Sequence, residues 1–181
     1  MTMTEYYFDI ETSGKDPAND KIISIQYQKL DRYTGKLIGD IKILKEWERS
    51  EKEIIREFLN SIFNRDSVWD FVFVGENLIF DFHFLSERAK LYNFPVIDLK
   101  FLYEQPFFDI KPLLVIINNF KFTAYSSVLK ETKIKNKQIP PLYEDKLYDQ
   151  LIDYIIEERD IFAEAFVNLR REMPKLKETL K

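Results

Sequence analysis

Short apolar runs separated by turn-forming residues open the chain and predict three consecutive β-strands. Residues 6–10 form an aromatic run that carries one charged residue, Asp9, and ends before the turn-forming segment 12–14. Residues 21–30 and 37–44 are two further strand-like segments, joined by a short glycine-containing turn. The second segment alternates, with one face formed by Ser24, Gln26 and Gln28 and the other by Ile25, Tyr27 and Lys29. Short connections of this kind favour antiparallel neighbours, so we expect a three-stranded meander.

Beyond residue 50 the apolar positions recur at helical spacing. Ser50, followed three residues later by Glu53, forms a capping box, and the apolar positions after it have the period of a helix. The continuous apolar run 70–75 is typical of a strand buried on both faces, and residues 81–92 have the pattern of a second helix. These elements predict a mixed sheet with helices on its faces, which is an α/β fold.

The second half of the chain has weaker patterns. Residues 107–110 form a candidate strand, and short helices are expected on either side of Ser126. The last helix is expected over about 145–171 and should end before Pro174. The tail, 173–181, is expected to be frayed.

The composition narrows the possible chemistry. The 181 residues fit a single domain, 1–181, and the formal charge is −4, from 27 Lys and Arg against 31 Asp and Glu. That charge argues against a protein that holds nucleic acid by overall positive charge alone. The absence of cysteine excludes disulfides, thiolate zinc sites and a cysteine nucleophile, and the single histidine, His83, disfavours a Ser-His-Asp relay or a two-histidine metal site. Carboxylates, hydroxyls, tyrosines and lysines are left to carry any chemistry.

Targeting signals are not evident in the sequence. The first residues lack the charged-then-apolar pattern of a secretory leader, and no apolar run approaches the ~18 residues of a membrane span. We therefore expect a soluble, cytoplasmic protein that does not contact membranes.

Three acids are placed where the sheet could bring them together. Asp9 and Glu11 are two apart on the first strand, so both side chains lie on the same face. Asp81 follows the strand 70–75 through a short loop. If that strand lies beside and parallel to the first, both end at the same sheet edge, and Asp81 comes close to Asp9 and Glu11.

The final helix contributes a fourth acid. Its apolar positions define one narrow stripe, and Glu158 falls in the middle of that stripe, with Tyr154 one turn earlier. The opposite, solvated face carries Asp153, Glu157, Asp160 and Glu164. The helix is therefore expected to direct Glu158 and Tyr154 toward the body of the protein.

Each acid also has a structural explanation when it is considered alone. Asp9 and Glu11 would suit the water-exposed end of a strand, and Asp81 would suit the first turn of a helix. Glu158 could form half of a buried salt bridge. For Asp9 and Glu11 as a pair, a divalent cation or a hydrogen-bond network would compensate both carboxylates.

Taken together, these residues resemble the three motifs of the DEDD 3′–5′ exonucleases. The segment 8–12 reads Phe-Asp-Ile-Glu-Thr, and the segment 74–77 reads Val-Gly-Glu-Asn and is followed by Asp81. Tyr154 is then followed by an acid four residues later. The tyrosine-bearing branch of the family, related to the proofreading domains of family B DNA polymerases, has the most similar pattern.

The resemblance implies a ribonuclease H-like fold and hydrolysis of phosphodiester bonds in DNA or RNA from the 3′ end. It implies two Mg²⁺ or Mn²⁺ ions held by Asp9, Glu11, Asp81 and Glu158, with Tyr154 orienting or helping to deprotonate the attacking water. Thr12 would contact the substrate, and Asn77 would help to position the substrate or the loop of the second motif. The implied partners are nucleic acid, single-stranded or at a 3′ end, and a replication or repair protein.

The third motif departs from the family, which has Asp where this chain has Glu158. A longer side chain can misplace a ligand by about 1 Å, which can cost ~100-fold in rate. A catalytically weak or inactive protein that binds nucleic acid or a replication or repair partner is therefore the main alternative, and an endonuclease on the same scaffold is another. Asp160 is an alternative ligand because it is the residue type that the family has, but it is predicted to lie on the solvent-exposed face of the helix.

A lysine-rich segment is the candidate substrate surface. Residues 111–139 contain six lysines against one acid, with interleaved aromatic residues, and Lys133, Lys135 and Lys137 form its densest part. Lysines can follow a phosphate backbone and aromatic rings can stack on bases. A solvated lysine face over core aromatics is the alternative explanation.

Overall fold

A computed structural model describes residues 3–63, 66–95, 99–117 and 132–179. The strands are β1 (Glu5–Thr12), β2 (Ile22–Leu30), β3 (Leu37–Lys45), β4 (Val72–Gly75) and β5 (Phe107–Asp109). The helices are α1 (Glu51–Phe63), α2 (Leu78–Leu91), α3 (Leu99–Glu104), α4 (Lys111–Ile117), α5 (Ile139–Glu144) and α6 (Tyr148–Thr179). None of the helices in these ranges is long and apolar enough to cross a membrane.

The five strands form one mixed sheet in the order β3-β2-β1-β4-β5. β1 pairs antiparallel with β2, and β2 pairs antiparallel with β3, so the predicted meander is confirmed. β4 runs parallel to β1, and β5 runs parallel to β4. The predicted fold class, with three antiparallel strands followed by parallel strands and flanking helices, is therefore correct.

Helices cover both faces of the sheet. On one face, Phe8 of β1 packs against Phe58 of α1 and Phe82 of α2, in an aromatic core. On the other face, Tyr7 packs against Phe162 of α6. Because successive residues of β1 point to opposite faces, Asp9 and Glu11 share the α6 face with Tyr7.

Local signals explain where α1 begins. The Ser50 backbone N–H donates to Glu53 Oε2 at 2.9 Å, and the Glu53 N–H donates to Ser50 Oγ at 3.3 Å, which is the predicted capping box.

Two helix boundaries differ from the sequence-based expectation. α2 begins at Leu78 rather than near Asp81, and its first turn follows Asn77, which has a left-handed backbone (φ 65°). α6 begins at Tyr148 and continues through Pro174 to Thr179, so the helix does not end near residue 171. Proline removes one backbone donor, but its fixed φ is compatible with a helix, so it does not always end one. The helices expected around Ser126 lie outside the described residues.

Candidate metal centre

Three acids from two elements meet beside the sheet. One carboxylate oxygen from each of Asp9, Glu11 and Glu158 lies within 4.8 Å of the others. The register of β1 brings Asp9 and Glu11 to the α6 face, and the inward stripe of α6 brings Glu158 to them. The prediction that Asp9 and Glu11 share a face and that Glu158 points inward agrees with this arrangement.

These acids line a cavity of about 470 Å³ at the end of β1 and β4. Of the residues singled out in the sequence, those that line the cavity are Asp9, Glu11, Thr12, Asn77, Asp81, Lys137 and Glu158. The parallel pairing of β1 with β4 brings Asp81 here, as expected from the sequence. Lys133 and Lys135 do not line it, and neither does Tyr154.

Hydrogen bonds fix the loop that carries Asp81. The Asn77 backbone N–H donates to Asp109 Oδ1 at 2.9 Å, and Lys111 Nζ donates to Asn77 Oδ1 at 2.6 Å. The turn at Asn77 therefore ties β4 to β5 and starts α2, whose first turn holds Asp81. Asp81 itself is buried, and its Oδ2 atom has no hydrogen-bond partner among the described residues.

Glutamine and tyrosine side chains contact the carboxylates from the sheet. Gln26 Nε2 donates to Asp9 Oδ2 at 2.9 Å and to Glu11 Oε1 at 3.3 Å. The Tyr7 hydroxyl donates to Asp9 Oδ2 at 3.5 Å.

The acids of the cavity hold protons more tightly than ordinary carboxyl groups do. Burial raises the pKa of Asp9 to about 7 and the pKa of Glu158 to about 8. Burial, followed by the negative charges of Glu158 and Asp9, raises the pKa of Glu11 well above its usual range. Burial and the charge of Asp9 likewise raise the pKa of Asp81.

The donor set fits a hard divalent cation. Mg²⁺ and Mn²⁺ prefer carboxylate oxygens, and the four acids supply them from β1, α2 and α6. Within the part of the chain that the structure describes, no Lys, Arg or His forms an ion pair with Asp9, Glu11, Asp81 or Glu158. An unpaired buried carboxylate oxygen such as Asp81 Oδ2 is costly, and a bound cation would remove that cost.

Tyr154 lies next to the cavity without lining it. Its side chain is buried, and its hydroxyl donates to Asn136 Oδ1 at 2.8 Å. Asn136 does line the cavity. Burial and the negative charges of Glu11 and Glu158 raise the pKa of Tyr154 well above its usual range, so the side chain is a neutral phenol.

The candidate substrate lysines are spread over different surfaces. Lys137 lines the acidic cavity. The Lys133 backbone N–H donates to Glu157 at 3.0 Å, beside the outer face of α6, and the Lys135 backbone N–H donates to Gln138 at 2.9 Å. The three aromatic residues expected among the lysines, Phe120, Phe122 and Tyr125, lie outside the described residues.

The rival ligand Asp160 is exposed and forms an ion pair with Arg159 at 2.8 Å. It lies on the solvent-exposed side of α6, in agreement with the face predicted from the helical periodicity. Among the described side chains of α6, Glu158 is the one that lines the cavity.

Sequence reasoning missed some residues that belong to the cavity. Glu76 and Lys15 both line it. Glu76 stands directly after β4, at the sheet edge where Asp81 was expected. That position in the sequence could have identified Glu76 as a residue of the cavity. Gln26 contacts Asp9 and Glu11 from the neighbouring strand. The one signal for it in the sequence was its position on the polar face of β2.

The sequence matches the family model described as the RNase_H superfamily over residues 6–145. No curated protein matches it. A structure of exonuclease I aligns with 99% of this chain and 43% of its own, at 13% identity and a TM-score of 0.62. The zinc-bound complex of E. coli exonuclease I with single-stranded DNA aligns with 75% of this chain and 32% of its own, at 14% identity and a TM-score of 0.50.

This chain thus spans less than half the length of the exonuclease I chains it resembles. At these identities the structural likeness establishes the fold alone. The family match covers most of the chain, and the sheet order and flanking helices agree with it. The chain belongs to the RNase_H superfamily.

Proposed function

We propose that this protein is a metal-dependent 3′–5′ exonuclease that hydrolyses phosphodiester bonds of DNA or RNA. The observation that carries the proposal is the convergence of four buried or half-buried acids on one cavity, without a basic partner in the described residues. A fold that brings such acids together without neutralising them is less stable unless a cation binds there. We assign the protein to the tyrosine-bearing branch of the DEDD exonucleases, and we take residues 1–181 as one catalytic domain.

The acids would divide between two cation positions. Asp9, Glu11 and Glu158 have ligand atoms close enough to share one ion. Asp81 lines the same cavity, near enough to Asp9 for that charge to raise its pKa. Two Mg²⁺ or Mn²⁺ ions would supply a water of lowered pKa and charge stabilisation for the departing 3′ oxygen. The chain itself would supply the fixed positions of its carboxylates on β1, α2 and α6.

Tyr154 would act by hydrogen bonding rather than as a base. Its hydroxyl is held by Asn136, and its raised pKa keeps the phenol protonated. Tyr154 and Asn136 would together orient the attacking water at the wall of the cavity next to Glu158.

We propose a 3′ end as the substrate because the resemblance to the DEDD exonucleases implies it. Thr12 and Asn77 lie on the walls of the cavity, and Lys137 offers a positive charge to a phosphate. One structural neighbour is a complex of E. coli exonuclease I with single-stranded DNA, which favours single-stranded DNA as the first substrate to test.

One observation favours a second candidate function. α6 supplies Glu158 where the exonuclease pattern has Asp, and the longer side chain changes the reach of this ligand. A protein of this fold that binds nucleic acid or a replication or repair partner with little or no catalysis is the function to which this change points.

A nuclease assay separates these possibilities. Single-stranded DNA and RNA oligonucleotides labelled at the 5′ end are incubated with the protein in Mg²⁺, in Mn²⁺ and in chelator. We expect a ladder that shortens stepwise from the 3′ end only when a divalent cation is present. The doubly substituted Asp9→Asn, Asp81→Asn protein, purified identically, controls for contaminating nucleases.

Internal cuts would identify an endonuclease instead. Complete lack of hydrolysis on single- and double-stranded substrates, with retained binding of the oligonucleotide, would favour the non-catalytic alternative and would reject the exonuclease proposal.

A further inference from the structure

Gln26 touches both acids of β1 from the neighbouring strand. In the β1–β2 register Gln26 stands opposite Asp9. Its side chain is fully buried, and the single amide nitrogen donates to Asp9 Oδ2 at 2.9 Å and to Glu11 Oε1 at 3.3 Å. We infer that Gln26 is a positioning residue, which sets the orientation of these two carboxylates before a cation binds. The inference rests on the proposed metal site.

A second hydrogen bond fixes which way the amide points. Ser24 Oγ donates to Gln26 Oε1 at 3.0 Å, and Ser24 is also fully buried. The hydroxyl occupies the amide oxygen, and the amide nitrogen is the atom that faces Asp9 and Glu11. With the amide reversed, its oxygen would face two carboxylates, and like partial charges would repel.

The physical effect concerns two acids that otherwise repel each other. Asp9 and Glu11 lie two residues apart on one face of β1, so their negative charges are close together. A neutral donor shared between them draws one oxygen of each toward the same point without adding a positive charge. A Lys or Arg at this position would compete with the cation, whereas an amide leaves the remaining oxygens as ligands.

Gln28 provides a matched comparison on the same strand. It is also buried, and it stands opposite Tyr7 in the same pairing. Its amide donates to the Gly39 carbonyl and its oxygen accepts from Arg159, so it touches none of the four acids. Gln26 and Gln28 therefore differ in their partners rather than in residue type, strand or burial.

The test measures the dissociation constant of Mn²⁺ by calorimetry for the unsubstituted protein, Gln26→Met and Gln28→Met. Methionine keeps the length and approximate volume of glutamine but removes the amide. We expect Gln26→Met to weaken Mn²⁺ binding by about 10- to 100-fold, the range usual for a group that orients a metal ligand. Gln28→Met should bind Mn²⁺ within about twofold of the unsubstituted protein. A merely structural glutamine would lower the melting temperature of both variants and leave both dissociation constants alike.

Ser24→Ala keeps the inference testable if Gln26→Met does not fold. Loss of the hydroxyl frees the amide to reverse, and we expect a smaller loss of Mn²⁺ affinity, by several-fold. Equal Mn²⁺ affinity in the unsubstituted protein and in every folded Gln26 or Ser24 variant would overturn the inference while the metal site stands. Failure of the unsubstituted protein to bind Mn²⁺ would reject the proposed function, and the inference with it.

Discussion

Glu51 and Asp81 are both buried acids, yet their surroundings are opposite. Glu51, at the start of α1, accepts from Arg88 Nε at 2.8 Å and Nη2 at 2.6 Å. It also accepts from the Tyr92 hydroxyl at 2.7 Å and from the Ile22 backbone N–H at 2.8 Å. Asp81 has an oxygen with no hydrogen-bond partner in the part of the chain that the structure describes, and it is surrounded by further acids.

The difference distinguishes a buried acid that stabilises the fold through a salt bridge from buried acids that are available to bind a cation. The chain provides complete hydrogen bonding and a counter-charge for Glu51, so this acid joins β2, α1 and α2. Glu5 at the start of β1 is a further example, since it pairs with Arg170 of α6. The four acids of the proposed metal site receive no counter-charge from an ion pair within the described residues, and their arrangement lowers stability unless it serves cation binding.

Substitution of Glu158 should have the largest effect on activity. Glu158→Ala removes a proposed cation ligand, and loss of charge stabilisation worth several kcal/mol corresponds to a fall in rate of roughly a thousandfold. Asp160→Ala, on the outer side of the same helix, should change the rate by less than about twofold. Nuclease rates measured at saturating Mn²⁺ check both. The assignment fails if Asp160→Ala abolishes activity and Glu158→Ala does not.

Substitution of Glu51 should have the largest effect on stability. Glu51→Ala leaves Arg88 largely buried without its partner, and breaking such a pair costs about 3–5 kcal/mol. For a chain of this size, that loss lowers the melting temperature by roughly 10 °C. Asp81→Asn should not lower the melting temperature of the metal-free protein, since it removes an uncompensated charge. Thermal melts in chelator measure both variants. An equal fall in melting temperature for Glu51→Ala and Asp81→Asn would contradict the proposed difference between the two acids.

The stability of the metal-free protein should fall as pH rises. The folded-state pKa values of Asp9 and Glu158 are raised to about 7 and about 8, so the folded state binds protons more tightly than the unfolded state does. Stability therefore decreases from about pH 4 to about pH 8, as these groups ionise. Melting temperatures in chelator should drop by several degrees over this window, and excess Mn²⁺ should offset the drop. The Asp9→Asn, Glu158→Gln protein should have a flatter profile, and an unchanged slope in that variant would show that other groups cause the pH dependence.

Substitution of the lysines should have the smallest effect, and the quantity that changes is the affinity for a single-stranded oligonucleotide. Lys137→Ala removes a charge that lines the cavity, so binding of a single-stranded oligonucleotide should weaken by a few-fold, with a shallower dependence on salt. Lys133→Ala, beside the acidic outer face of α6, should leave the affinity nearly unchanged. Fluorescence anisotropy at several salt concentrations compares them. Equal losses would favour a lysine surface that extends over both positions.

Short-range patterns predicted most of the fold and the main acids. Alternation on β1 placed Asp9 and Glu11 on one face, and helical periodicity directed Glu158 inward. The pairing of β1 with β4 was a topological assumption that the structure bears out.

Contacts between residues distant in sequence were not predictable in this way. The hydrogen bond between Tyr154 and Asn136 and those from Gln26 to the acids join separate segments, and no local period encodes them. The start of α2 depends on the left-handed turn at Asn77, which is held by Asp109 and Lys111 from beyond the helix. The assignment of 1–181 as one domain stays a prediction.

A crystal soaked in Mn²⁺ is the decisive test of the metal centre. Manganese is located by its anomalous scattering, independently of any assay. We expect anomalous density in contact with the carboxylates of Asp9, Glu11 and Glu158, with further density at Asp81 when both positions fill. A crystal saturated with Mn²⁺ that has no density among these four acids would contradict the proposed metal centre.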